Sequence, residues 1–68
     1  MSAEVSYVGI DNRGGHHSGC TTVDDPAEFV RVRFDRGWSR LTVQRDGKIV
    51  AQIRRHPDTN RRIWWAES

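Results

Sequence analysis

The sequence predicts a small all-β domain: an antiparallel meander of four strands plus an N-terminal strand, forming a twisted sheet or a small barrel. Three observations predict it. Residues 28–66 alternate apolar and polar side chains with a period of two, the repeat of a half-buried strand. The segments that interrupt this alternation, Arg36-Gly37, Asp46-Gly47 and His56-Pro57-Asp58-Thr59-Asn60, carry turn chemistry. At 68 residues the chain is a single domain, and with 35% apolar residues its core is one thin layer of side chains. A domain this short is expected to be marginally stable.

The first strand is expected over residues 4–10. Residues 11–27 form a polar stretch with Gly14, Gly15 and Gly19 and no periodicity. Seventeen residues of loop is long for a compact domain, so the stretch is expected to be mobile or functional. The meander strands then fall at 28–35, 38–45, 48–55 and 61–66, and no helix is expected.

Alternation also sets the register, because a slip of one residue sends every side chain to the wrong face. Val30, Val32 and Phe34 form the inward set of the first meander strand, Leu41 and Val43 that of the second. A two-residue Arg36-Gly37 loop pairs Val32 with Leu41 and Val30 with Val43. At the next turn, a two-residue Asp46-Gly47 loop would set Leu41 against Gln52. A three-residue loop with Gly47 in the left-handed position of a bulge sets Val43 against Ile49 and Leu41 against Ala51, and is preferred. A five-residue loop before Arg61 pairs Ile53 with Ile63 and Ala51 with Trp65. A four-residue loop would bury Trp64 instead. Val30, Val32, Phe34, Leu41, Val43, Ile49, Ile53 and Ile63 are thus the expected core.

These registers place Arg33, Arg40, Gln52 and Trp64 in one outer row, Trp38, Arg54 and Arg62 in the next, and Arg31 on the other side. Arg33 would then oppose Arg40, and Arg54 would oppose Arg62. Like charges directly opposite destabilise a sheet by up to roughly 1 kcal/mol per pair, so such a face is expected to be used. The net charge is only +2, but ten arginines stand against one lysine, Lys48. Coding bias accounts for arginine in place of lysine, though not for where the arginines sit.

Three readings of the face follow. It is a solvated surface whose arginines stack on Trp38 and Trp64. It binds a polyanion, nucleic acid in particular, because arginines meet phosphates and aromatic faces stack unpaired bases. Or it binds a protein, since Trp and Arg dominate interface hot spots; a small regulator or inhibitor of a larger assembly, or a homo-oligomer, fits this third reading. The polyanion reading is preferred, with Arg31, Arg33, Trp38, Arg40, Gln52, Arg54, Arg62 and Trp64 as its binding residues. Outward cations and aromatics on a small sheet are also how oligonucleotide-binding barrels and cold-shock domains present themselves, but no family motif is matched.

Other chemistry is weaker in the sequence. His16, His17 and Cys20, with His56 in a distant turn, are zinc-type donors, but a structural site needs two ligand pairs and this chain has one pair and a stray. No metal or cofactor is therefore expected. Cys20 is the only cysteine, which excludes an intrachain disulfide, and a Cys–His nucleophile in a glycine-rich loop lacks a rigid support. Gly14-Gly15 lacks the context of a phosphate loop. The expectation is a binding module and not an enzyme. No apolar run approaches the ~18 residues of a membrane span and the first residues lack signal-peptide character, so a cytoplasmic protein away from membranes is expected.

Overall fold

The computed structural model describes residues 3–67. The chain runs β1 (Ala3–Ile10), β2 (His16–Val23), α1 (Pro26–Asp35), β3 (Arg40–Arg45), β4 (Lys48–Arg55) and β5 (Arg62–Ala66). The strands form one antiparallel sheet in the order β2-β1-β3-β4-β5. Strand makes up 54% of the described chain, and the sheet is twisted and open, not closed into a barrel. The all-β class and the five-strand count agree with the sequence. Two of the elements do not.

The expected strand at residues 28–35 is the helix α1. Its start is written in Asp25-Pro26: Asp25 is the N-cap, its carboxylate accepting the Ala27 N–H at 3.1 Å, and proline occupies the first turn. Glu28 lies in the first turn and Arg33 in the last, each opposing the partial charge of that helix end. Gly37 follows at φ +90°, a conformation that favours glycine and ends the element. The segment Phe29-Val30-Arg31-Val32-Arg33-Phe34 alternates like a strand. On a helix, however, Phe29, Val30, Arg33 and Phe34 share one face, so the pattern serves both. Trp38 lies outside β3, in the connection that follows the helix.

The expected loop at 11–27 contains β2. Residues 11–15 form the hairpin turn, and β2 pairs with β1 along its whole length, from Ile10 opposite His16 to Ala3 opposite Val23. The sequence HHSGCTTV has no apolar alternation because β2 is an edge strand whose side chains are mostly exposed on both faces.

Two registers also differ. The β3–β4 turn is the two-residue Asp46-Gly47, with φ of +54° and +79°, the signature of a tight hairpin turn with both central residues left-handed. The extra residue sits inside β4 instead: pairing shifts between Val43–Ala51 and Gln44–Ile49, leaving Val50 as a bulge. Leu41 therefore faces Ile53, not Ala51, and Ile49 is left 39% exposed. Between β4 and β5, Ile53 faces Trp64 and Gln52 faces Trp65, so the expected Ile53–Ile63 pairing does not form.

The helix packs across β3, β4 and β5 on one face of the sheet. Between helix and sheet, Val30 of α1 and Val5, Leu41, Val43, Val50, Ala51 and Ile53 of the strands form the buried core, with the partly buried Tyr7, Val23, Phe29, Phe34, Trp38 and Ala66 packed against it. Val30, Leu41, Val43 and Ile53 are thus buried as expected, while Val32, Phe34 and Ile63 are only partly so. Tyr7 reaches the helix through Phe29, with ring centroids 5.6 Å apart. The opposite face of the sheet is uncovered among the described residues.

Candidate nucleic-acid interface

Residues directly opposite in an antiparallel pair point to the same side, and successive residues alternate. The pairing therefore writes out the uncovered face. One row across the strands reads Val8, Thr42, Gln52, Trp65; one step past the last β3–β4 pair, Leu41–Ile53, the same register continues to a row of Ile10, Arg40, Arg54 and Ile63. Val8 is 63% exposed at the middle of the sheet. The Trp65 indole N–H donates to Gln52 Oε1 at 3.2 Å, which holds the ring against the row and leaves its face in solvent. A shallow depression lies between Ser6, Val8, Thr42 and Gln44.

Of the eight residues singled out from the sequence, Arg40, Gln52 and Arg54 share this face. The other five do not: a helix stands where the strand carrying Arg31 and Arg33 was expected, Trp38 lies in the connection after it, and the register set by the turn before β5 puts Arg62 and Trp64 on the helix side. Arg31 projects from α1 and lies 3.6 Å from Asp35, one helical turn on. Arg33 stacks on the Phe29 ring at 3.8 Å and approaches Trp38 at 5.9 Å, and it donates to the Phe29 carbonyl. Partial burial, with Arg36 nearby, holds its guanidinium below the usual arginine pKa. Trp38 packs over the helix side of the sheet against Gly9 and stacks with His17, centroids 4.6 Å apart. Arg62 lies over Phe34 and donates to the carbonyls of Phe34 and Trp38, each at 2.9 Å. It closes the C-terminal end of the helix, where carbonyls lack intrahelical partners. Trp64 faces the helix side beside Ile53, and Trp65 takes the place expected of it. The expected Arg33–Arg40 and Arg54–Arg62 oppositions are replaced by Arg40 beside Arg54 and Arg55 opposite Arg62.

The charges separate by end of the sheet. Eight of the ten arginines, Arg13, Arg33, Arg36, Arg40, Arg54, Arg55, Arg61 and Arg62, lie where β1 and β4 finish and β3 and β5 begin. The only carboxylates there besides Asp35 are Asp11 and Asp58. The opposite end holds Glu4, Asp24, Asp25, Glu28, Asp46 and Glu67 against Arg45 and Lys48. Among the described residues the ion pairs are His17–Asp11, Arg31–Asp35, Arg45–Glu67 and Lys48–Glu67. None relieves the basic end of an arginine charge on the uncovered face: Arg40 and Arg54 sit side by side with no carboxylate. This charge separation was invisible to the sequence because β2 and α1 bring the acids of residues 24–28 to the end far from the arginines.

The histidines and Cys20 are dispersed. Asp11 Oδ1 accepts the N–H groups of Arg13 and Gly15 at 2.8 Å, and Oδ2 meets His17 Nε2 at 2.8 Å. The bond to His17, and then those two amides, draw the Asp11 pKa from 3.8 down to about 2. This carboxylate therefore organises the β1–β2 turn. His16 and Cys20 point to the uncovered face four residues apart on β2, roughly 13 Å at strand spacing. His56 Nδ1 accepts the Asp58 N–H at 3.1 Å within its own turn. No group of three metal-type donors forms among the described residues.

No helix among the described residues is long and apolar enough to cross a membrane. Comparison with protein-family models, curated proteins and solved structures returns no match.

Proposed function

We propose that this domain is a non-catalytic binding module that holds single-stranded nucleic acid across the basic half of its uncovered sheet face. The observation that carries the reading is the placement of Arg40 beside Arg54 on that face with no carboxylate partner, one row from the exposed indole of Trp65. Guanidinium groups neutralise phosphates, and an aromatic ring beside them offers a stacking platform for an unpaired base. Gln52 supports the ring, and Thr42 adds a neutral hydrogen-bonding group between them. The surrounding basic end steers the polyanion toward the face, since a one-signed field raises the association rate. A cytoplasmic location goes with this reading.

The test is binding of a labelled single-stranded oligonucleotide across a salt series. A polyanion site gives log affinity falling linearly with log salt, by roughly 0.7 per phosphate neutralised on a single strand. A domain that binds no oligonucleotide at low salt, where attraction is strongest, refutes the reading. One observation favours a protein partner instead: Val8, Ile49 and Trp65 leave apolar surface exposed on the same face. Association with a protein through those residues would be insensitive to salt and lost on Val8→Ser.

A further inference from the structure

We infer that the free edge of β2 pairs, antiparallel, with the β2 edge of a second copy of this chain, joining two five-stranded sheets into one of ten. The inference is independent of the nucleic-acid reading. Beyond β2 the sheet has no further strand among the described residues, and α1 packs on β3, β4 and β5 at the other side.

Which groups are free follows from the hairpin. The Asp11 N–H donates to the Gly15 carbonyl at 2.9 Å, so that pair is hydrogen-bonded at the end of the ladder. Antiparallel pairs alternate, so His17, Gly19, Thr21 and Val23 turn their backbone groups toward β1, while His16, Ser18, Cys20 and Thr22 turn theirs outward. The same alternation on β1 sends the Ile10 carbonyl toward β3, and it does accept the Ser39 N–H there at 2.9 Å.

Sheet edges in monomeric proteins are blunted by shortness, lysine, proline or bulges. β2 has none of these. It is eight residues long, pairs without a register shift, and carries no proline, lysine, arginine or carboxylate. The other edge, β5, is five residues long and carries Arg62. The β2 side chains from Ser18 to Thr22 are small, which leaves the backbone open to approach.

Charge selects the antiparallel arrangement and a second copy as the occupant. Reversing one strand against the other sets the basic end of one domain beside the acidic end of the next. Outward groups must meet outward groups, so even positions oppose even positions. Centring the two-fold axis on Cys20 sets Ser18 against the second copy's Thr22 and His16 against its Asp24. Arg13 is thereby brought toward the second copy's Asp25 end. Cys20 meets its own copy at the axis, at the ~5.5 Å Cα spacing of a hydrogen-bonded pair, within the range a disulfide spans. Both uncovered faces lie on the same side of the joined sheet.

The experiment is sedimentation equilibrium of the full chain under reducing conditions, without nucleic acid, over a concentration series. The expected result is a monomer–dimer equilibrium. Thr22→Pro removes an outward donor without touching the β1 ladder, and Cys20→Lys sets two ammonium groups together at the axis. Each is expected to raise the dimer Kd about tenfold or more with an unchanged circular dichroism spectrum. If Thr22→Pro fails to fold, Cys20→Lys carries the test alone. A chain that stays monomeric at every concentration, or a dimer that Cys20→Lys leaves intact, overturns the inference.

Discussion

Arg62 reaches from β5 to the end of the helix: its guanidinium lies 4.3 Å above the Phe34 ring and its Nη1 donates to the Phe34 carbonyl at 2.9 Å. Sequence position alone assigns this arginine to a ligand. Its contacts assign it to the fold, since it donates to the Phe34 carbonyl at the end of the helix and to the Trp38 carbonyl of the connection after it, and so fastens α1 to the last strand. Arg62→Ala is therefore expected to cost about 1.5–3 kcal/mol, the range for a hydrogen bond to a charged group. Arg62→Lys should recover little of it, because an ammonium lacks the planar surface that lies on Phe34. Thermal denaturation of the two variants checks both statements.

Arg40 and Arg54 should behave in the opposite way. Each lies exposed beside the other, so replacing either with alanine should leave stability unchanged or slightly raised as repulsion is relieved. Against a single-stranded oligonucleotide each replacement should lower the salt slope by roughly 0.7 and weaken all sequences alike. Trp65→Ala should cost about 1–3 kcal/mol of affinity, the worth of one stacked base. Trp64→Ala, on the helix side, should leave affinity intact and lower the melting temperature.

Asp11 gives the domain an acid-sensitive turn. Its pKa is about 2 in the folded chain against 3.8 ordinarily, through the bonds from His17, Gly15 and Arg13. A depressed carboxylate stabilises the fold above its unfolded pKa, and that stabilisation is lost as pH falls from near 4 through about 2. Acid titration followed by circular dichroism should show this loss in the native chain. Asp11→Asn should lower stability at neutral pH and flatten the profile in that window.

Gly9 is required for a close approach. A Cβ there would fall 2.8 Å from the Arg40 carbonyl and 2.9 Å from Leu41 Cδ1 and Trp38 Cζ3. Gly9→Ala should therefore push Trp38 from its seat and cost about 1–3 kcal/mol, the usual range for overpacking. A blue or red shift of tryptophan emission together with the lowered melting temperature would report the displacement.

Much of the sheet was legible in the chain. β1, β4 and β5 fall within a residue of their expected limits because their residue types alternate and turn residues bound them, and Leu41, Val43 and Ile53 are inward as the alternation requires, whereas Val30 is buried from the helix. The start signal Asp25-Pro26 for α1 was also in the sequence, but it competed with a run whose spacing suits either period.

What the sequence by itself determined is the class of the domain, its β strands with apolar inward sets, and its surplus of arginine. Only the tertiary structure decided which arginines remain available. Once residues 26–35 become a helix, they cover one face, draw Arg33 and Arg62 into packing, and leave Arg40 and Arg54 on the other. The Val50 bulge and the turn before β5 then decide that Trp65, not Trp64, joins them. β2 lay beyond periodicity altogether, because an edge strand exposed on both faces has no core to impose a pattern and takes its register from hydrogen bonds to β1. The physical reason is common to all three: periodicity records burial, whereas the choice of face depends on non-local backbone pairing that side-chain spacing does not encode.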